Sequence, residues 1–404
     1  MLDLNGLASI YQYTILGCFS TSLRSIQKFI YAIVPEQYLF VDNIELSLDI
    51  RNQSKNQQLP YLYGMKFEAV TIKHIAQELG LSTSTVSRAL RDSHEISQAT
   101  KKMVLDHAKK VGFKPNRIAQ SLKERKSLSI GVIVCEIANS FFSQVINGID
   151  SVAYKHGYNV IIAQSMESAE RELMNLEYLT SSSIDGLIIS VSTETKNFSY
   201  LKKLHERGLP IVFVDRVIDD IETHKVIADN YKGAYKATKH LIERGYKKIA
   251  ILSNNSGLSI SQERLDGYRA ALKEANIPLR ENMVAYCDHG GMIYNEVESA
   301  MKMLLKQRVK PDAIFAGSDK ITTGCLRFMK QKNIRTPQDL ALIGFSNTDL
   351  TELLNPPLSV IKQPAFEMGQ ASATLLLSLI ESKKPQTKFE TRIQSTELLI
   401  RKST

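Results

Sequence analysis

The chain has 404 residues, 43% hydrophobic and 23% charged, which is enough for two or three domains with apolar cores. Its four cysteines, Cys18, Cys135, Cys287 and Cys325, stand far apart, with no CxxC pair and no histidine cluster at metal spacing. That excludes a disulfide framework and a zinc site and fits a reducing cytoplasm, while the net charge of +9 is concentrated where residues 65–127 hold 13 Lys and Arg against six Asp and Glu, a pattern suited to a polyanionic partner.

Residues 1–64 carry neither an export signal nor a membrane span. "YTILGCFS" superficially resembles a lipoprotein cleavage site at Cys18, but the residues before it contain no Lys or Arg, and Asn5 and Gln12 interrupt the apolar run. "FIYAIVPEQYLFV" is broken by Pro35 and is too short to cross a bilayer. Met65 opens "MKFEAVTIKHIA", from which the chain reads as one coherent architecture. We expect Met65 to be the native start and 1–64 to be an upstream, poorly ordered extension; an appended regulatory segment is the alternative.

Residues 65–113 predict three short helices. Ile72, Ile75, Ala76 and Leu79 recur at helical spacing up to Gly80, which suits the left-handed turn after a helix end. Leu81 packs inward and Ser82 is placed to cap a second helix, whose buried side is Val86, Ala89 and Leu90. Thr83, Ser84, Ser87 and Arg88 then face outward. Hydroxyl side chains weaken a helix interior, yet they let a helix approach base edges and phosphates closely, and Arg88 reaches a guanine edge or a phosphate. The pattern is a helix-turn-helix that reads DNA. A third helix, capped by Ser97 and ended by Gly112, closes the core with Val104, Leu105, Ala108 and Val111. In the linker at 114–127, Pro115 precedes a short amphipathic segment with Ile118, Ala119 and Leu122 on one stripe, marginal as an isolated helix.

"VTIKHIAQELGLSTSTVSRAL" and "KPNRIAQSL" resemble the DNA-binding signature of the LacI/GalR family of bacterial transcription regulators, and the resemblance runs from about Val70 to the C-terminus. It implies a homodimer on a pseudo-palindromic, double-stranded operator, with Thr83, Ser84 and Arg88 at major-groove positions and Leu122 wedged into the minor groove at the operator centre. Thr71, Ser82, Ser87, Asn116 and Ala119 complete the expected DNA-facing set. Arg91 stands where the family often has Asn, which leaves its contact open.

From Leu128 the pattern changes. "SIGVIV", "YNVIIAQS", "DGLIISV" and "PIVFVDR" are apolar runs typical of strands covered on both faces, and a second series runs from "KVIADN" through "KIAILS", "MVAYCD", "DAIFAGSD" and "LALIGFS". Helical segments between them predict two parallel α/β sheets, with "LSVIKQP" and "TRIQSTELLI" crossing back to complete both halves. No GxGxxG follows the first strand, there is no GxxxxGK[ST], and "GLSIS" from Gly257 lacks the second Gly of a nucleophile elbow. No catalytic pair or cofactor loop is evident, so no enzyme activity and no cofactor are expected. Polar residues do cluster where ligands of open sheets bind, at strand ends: Asn139, Asp215, Arg216, Asp229, Asn230, Asp288 and Asp319.

The family resemblance implies a multidomain chain, an all-α helix-turn-helix domain followed at 128–404 by a periplasmic-binding-protein-like effector and dimerisation domain of two Rossmann-like lobes. It places Phe141 and Phe142 of "EIANSFFSQVINGI" at the effector pocket, together with Arg264 of "SQERLDGYRAAL", which corresponds to an arginine that grips polar or anionic groups. Asp319 falls where the family has an Asn-Asp pair, with Ser318 replacing the Asn, and Ser346 sits where many members have Asp. A cytoplasmic repressor controlled by a small molecule, most commonly a carbohydrate in this family, is the expected function, without a membrane partner. The rival is a periplasmic sugar-binding protein, which would need an export signal and no DNA-reading module. The chain after its last predicted strand is too short for leucine heptads that tetramerise some members, so a dimer is expected.

Overall fold

The computed structural model describes residues 70–113, 126–382, 384 and 386–404. The chain divides into two units, Met1–Phe113 and Lys114–Thr404. In the first, α1 (Ile72–Leu79), α2 (Thr83–Leu90) and α3 (Gln98–Lys110) follow the three periodic segments. Each opens on a hydroxyl cap, because Thr71, Ser82 and Ser97 accept the backbone N–H of His74, Thr85 and Thr100 at 3.3, 3.0 and 3.2 Å. Gly80, at φ 64, turns left-handed and lets the Leu81 N–H reach the Ala76 carbonyl at 2.9 Å. Eight-residue helices are marginal alone, and here Ile75, Ala76, Val86, Ala89, Val104 and Ala108 close on one another to hold them. Leu105, expected in this core, is instead 50% exposed. Val104 and Ala108 share the inner face four residues apart, and a step of about 100° carries Leu105 off it.

The second unit contains, in chain order, β1 (Ser129–Val134), α4 (Ser140–Lys155), β2 (Asn159–Gln164), α5 (Ala169–Ser181), β3 (Gly186–Ile189), α6 (Ser199–Glu206), β4 (Ile211–Val214), β5 (His224–Ala228), α7 (Asn230–Glu243), β6 (Ile249–Asn254), α8 (Ser259–Glu274), β7 (Val284–Cys287), α9 (Tyr294–Lys306), β8 (Ala313–Ala316), α10 (Asp319–Gln331), β9 (Ala341–Phe345), β10 (Ser359–Lys362), α11 (Ala365–Glu381), β11 (Thr391–Gln394) and β12 (Glu397–Leu399). They form two six-stranded sheets, ordered β11-β5-β4-β3-β1-β2 and β12-β10-β9-β8-β6-β7. The apolar runs are strands because helices cover both faces of each sheet; β1 and β6, for example, are almost wholly buried.

Two details depart from the sequence reading. "KVIADN" does not open the second series, because β5 pairs in parallel with β4 and so belongs to the first sheet. The connection between them, residues 215–223, is too short for the expected helix, and buried Ile218 and Ile221 cover the sheet in its place. The second sheet is not wholly parallel either, since β12 runs antiparallel to β10. Strand β12 reaches β10 not through a crossover within its own sheet but directly from β11 of the first sheet, two residues earlier.

The chain passes between the lobes three times, after β5, after β10 and after β11. These crossings are tied together: the Asp229 N–H donates to the Gln394 carbonyl at 2.7 Å, and Asn347 exchanges hydrogen bonds with both Gln363 and Gln144. Helix α11 returns to the first lobe and packs tightly on α4, where a Cβ on Gly148 would stand 2.0 Å from the Phe366 carbonyl oxygen. Glycine is required there for close approach rather than for its dihedral freedom.

Candidate DNA-reading surface and effector cleft

On the first unit, Thr83, Ser84 and Arg88 are exposed on α2, and Ser87 is half-buried. The hydroxyls are not equivalent. Ser82 and Thr71 cap helices, and the Ser82 Oγ also meets the Ser84 Oγ at 2.7 Å and the Thr85 Oγ1 at 2.8 Å. That cluster fixes the first turn of α2, so its outer side chains are presented on a rigid helix end. Arg88 is paired with Glu95 at 3.0 Å, an acid the sequence reading did not single out. Asn116, Ala119 and Leu122 lie outside the described residues, as does the segment 1–64.

In the second unit the carboxyl ends of the two sheets face each other. Lys320, in the first turn of α10, binds Glu136, just past β1, at 2.9 Å, and His289 lies 3.8 Å from Glu194, so charged pairs span the cleft. His289 also binds Glu296 at 2.6 Å, and that hydrogen bond lifts its pKa above the ordinary histidine value.

Arg216 is buried and forks onto Glu167, with Nη1 to Oε2 at 2.7 Å and Nη2 to Oε1 at 2.8 Å. Burial works against the Glu167 charge, but the guanidinium outweighs it and holds this carboxyl below the ordinary glutamate value. Arg264 is equally buried; its Nε and Nη2 donate to the Asn230 Oδ1 at 3.0 and 2.7 Å, its Nη1 donates to the Gly317 carbonyl, and its plane lies 3.8 Å over the Phe345 ring. Burial lowers its pKa to about 10, against the pull of Asp215. Asp215 is held at φ 64, and burial raises its pKa despite the two arginines. Asp319 accepts a short hydrogen bond from the Ser346 hydroxyl, and burial likewise raises its pKa. Serine at 346 therefore does not leave this end of the cleft without an acid. Ser318 caps α10 and donates to the Gly290 carbonyl at 2.9 Å.

Phe141 and Phe142 stack edge to face at 5.1 Å within the apolar core of the first lobe, both nearly fully buried. The structure thus brings Arg216, Arg264, Asp319 and Ser346 to the strand ends and assigns the two aromatic rings to the wall behind them. Sequence reasoning missed Glu167, Glu136, Glu194 and His289. No local signal marks the three acids, because each pairs with a residue distant in the chain, and only the Glu296 partner of His289 is near it in sequence. Among the described buried groups without a hydrogen-bond partner in the protein are the hydroxyls of Ser165, Ser190, Ser253 and Ser261, the Asn254 Oδ1 and the Arg216 Nε. All six sit at the ends of β2, β3, β4 and β6 or in the first turn of α8, which is where a ligand with many hydroxyls would satisfy them. Among the described residues there is no cluster suited to a metal ion and no helix long and apolar enough to cross a membrane.

The family model described as bacterial regulatory proteins, lacI family, matches residues 71–116, and the model for periplasmic binding proteins and the sugar binding domain of the LacI family matches 127–402. The transcriptional repressor CytR of Escherichia coli is 33% identical over 337 residues, covering 83% of this chain and 96% of that protein. The ribose operon repressor of Haemophilus influenzae is 32% identical over 336 residues, 82% of this chain and 98% of its own length. Among solved structures, the regulator CelR with cellobiose superposes with a TM-score of 0.62 at 28% identity, covering 83% of this chain and all of that one. A LacI-family regulator of Enterococcus faecium with bound ribose gives 0.59 at 28% identity over 68% of this chain and 98% of its own. A unit that reads DNA is thus joined to a two-lobed clamp of the sugar-binding type, and the chain belongs to the LacI family of bacterial transcriptional regulators.

Proposed function

We propose that the protein is a cytoplasmic homodimeric repressor without enzyme activity, whose α2 enters the major groove of its operator and whose cleft binds an uncharged carbohydrate effector. The observation that carries the DNA half is the rigid hydroxyl-capped end of α2 with Arg88 on its open face. Arg88→Ala should weaken binding to an operator selected from random oligonucleotides by about 10- to 100-fold, the range expected when a bidentate base contact is lost. Fluorescence anisotropy would measure it. Unchanged binding would remove Arg88 from the interface.

The effector half rests on the balance of charge in the cleft. Arg216 is held by Glu167, Arg264 by Asn230 and a carbonyl, and Lys320 by Glu136. Most of the unpartnered groups at the strand ends are serine hydroxyls, beside the Asn254 Oδ1, the Arg216 Nε and the Glu136 Oε2, and together they match ligand hydroxyls that both donate and accept. An anionic ligand would meet Asp215 and Asp319, with Arg216, Arg264 and Lys320 already engaged and Lys196 donating to the Thr193 carbonyl. The sugars bound to the two solved relatives support the same class. In a thermal-shift screen of pentoses, hexoses and disaccharides beside their phosphate esters and nucleosides, a neutral sugar should raise the melting temperature while its phosphate does not. Stabilisation by the phosphate alone would overturn this reading.

Exposed apolar surface on the open edge of the first sheet supports the dimer. Leu173, Met174 and Tyr178 form one exposed face of α5, which packs on edge strand β2, where Ile162 is also exposed. Such a contiguous patch suits a second copy of the chain. Met174→Glu combined with Tyr178→Glu should convert dimer to monomer in sedimentation, with at least about 100-fold weaker association from two charges buried unpaired on each protomer. A variant that remains dimeric would place the interface elsewhere. Effector closure of the lobes would then act on operator affinity through the geometry of the pair.

A further inference from the structure

Glu95 is an acid on a surface whose ligand is a polyanion, and nothing so far accounts for it. It follows Arg88 by seven residues and precedes the Ser97 cap of α3, and its carboxylate lies 3.0 Å from the Arg88 Nη1, with both side chains about half exposed. The loop that carries it is firmly placed. Buried Lys101 binds both the carboxylate and the carbonyl of Asp92, the Ser93 N–H donates to the Arg88 carbonyl at 3.1 Å, and the Glu95 N–H reaches the Ser93 Oγ at 3.4 Å. An exposed pair of this kind contributes little to folding stability, and α3 is already capped by Ser97.

We infer that Glu95 is a specificity-determining residue: it holds Arg88 through Nη1 alone and offsets its charge, so that a phosphate backbone gains little from that guanidinium, while Nε and Nη2 are left to fork onto a base edge with the pair intact. The inference rests on the reading of Arg88 as a DNA contact. Non-specific binding scales with the number of cations that displace counterions from phosphate, and an arginine that brings its own carboxylate counts for little in that sum. A guanine edge offers two neutral acceptors in the fork geometry of the guanidinium, so it depends less on the net charge of Arg88 than a phosphate does and is met without displacing the carboxylate. Glu95 therefore acts by weakening wrong complexes rather than by strengthening the right one.

Glu95→Gln keeps the size and removes the charge. Anisotropy titrations of the full chain between 50 and 200 mM NaCl would compare a random-sequence duplex with the tightest duplex recovered by selection. The variant should bind the random duplex about 3- to 10-fold more tightly, with the slope of log K against log salt steeper by about 1, while the selected duplex gains less. In an Arg88→Ala background the same change should alter random-duplex affinity by less than about twofold. Unchanged affinity and slope would overturn the inference, as would an equal gain without Arg88, which would make Glu95 a general repulsive charge. If Arg88→Ala alone leaves both duplexes unaffected, it is the assignment of Arg88 that fails, and this inference with it.

Discussion

Glu167→Ala should destabilise the effector unit by about 3 to 5 kcal/mol, the range for leaving one member of a buried ion pair without its partner. Arg216 would remain in place with its guanidinium enclosed, holding only the Val191 carbonyl and the Thr193 hydroxyl. Calorimetry should show the melting temperature lowered by roughly 10 °C, given a shift of about 2 to 4 °C per kcal/mol for large domains. Replacing both partners, Glu167→Leu with Arg216→Met, should recover much of the loss, because two matched apolar groups avoid the unpaired charge. The pH dependence has a definite sign. Glu167 has a folded pKa below its ordinary value, so its contribution is complete above the unfolded glutamate range, near pH 4.3, and fades as pH falls through the folded value. A loss under 1 kcal/mol in Glu167→Ala would mean that water reaches Arg216.

Arg264→Ala should reduce effector affinity by several hundred-fold, about 3 to 4 kcal/mol, while operator binding without effector stays within about twofold. The guanidinium orients three separate groups, the Asn230 amide, the Gly317 carbonyl and the Phe345 ring, at the carboxyl ends of the second lobe's strands. Arg264→Lys should not rescue binding, since a single ammonium cannot fork onto Asn230, span to Gly317 and stack on the ring together. Titration calorimetry with the sugar found by thermal shift, beside anisotropy on the selected duplex, separates the two functions. Equal loss of both would mean that the two sites are not independent.

Much of this was legible in the chain because it is local. Hydroxyl caps, the left-handed Gly80 and the apolar runs are decided by neighbours within a few residues, so the helix-turn-helix and nearly all strands follow from spacing alone. Arg216 was identifiable as a strand-end residue, but its partner Glu167 is 49 positions away and on a different loop. That distance also changes the meaning of the residue, from a polar strand-end group to a cation that already has its counter-charge. Arg264 and Asp319 were read as ligand groups, yet their engagement with Asn230 and Ser346 depends on the second lobe being assembled. The misplacement of "KVIADN" has a similar origin: strand patterning does not state which sheet a strand joins, and residues 215–223 replace a helix with two isoleucines. Leu105 was misassigned because hydrophobicity was weighed above its angular position on α3.

The threefold passage of the backbone between lobes means that neither lobe is a continuous length of polypeptide. The first lacks α11 and β11 until residue 394 has been synthesised, and the second lacks its edge until β12. A nascent chain emerging from the ribosome can therefore complete the three-helix unit early but must keep the two sheets unfinished until residues 394 and 399, respectively, have emerged. A premature stop after residue 380 would strip a strand from each sheet at once and yield an insoluble fragment, not a shortened sensor.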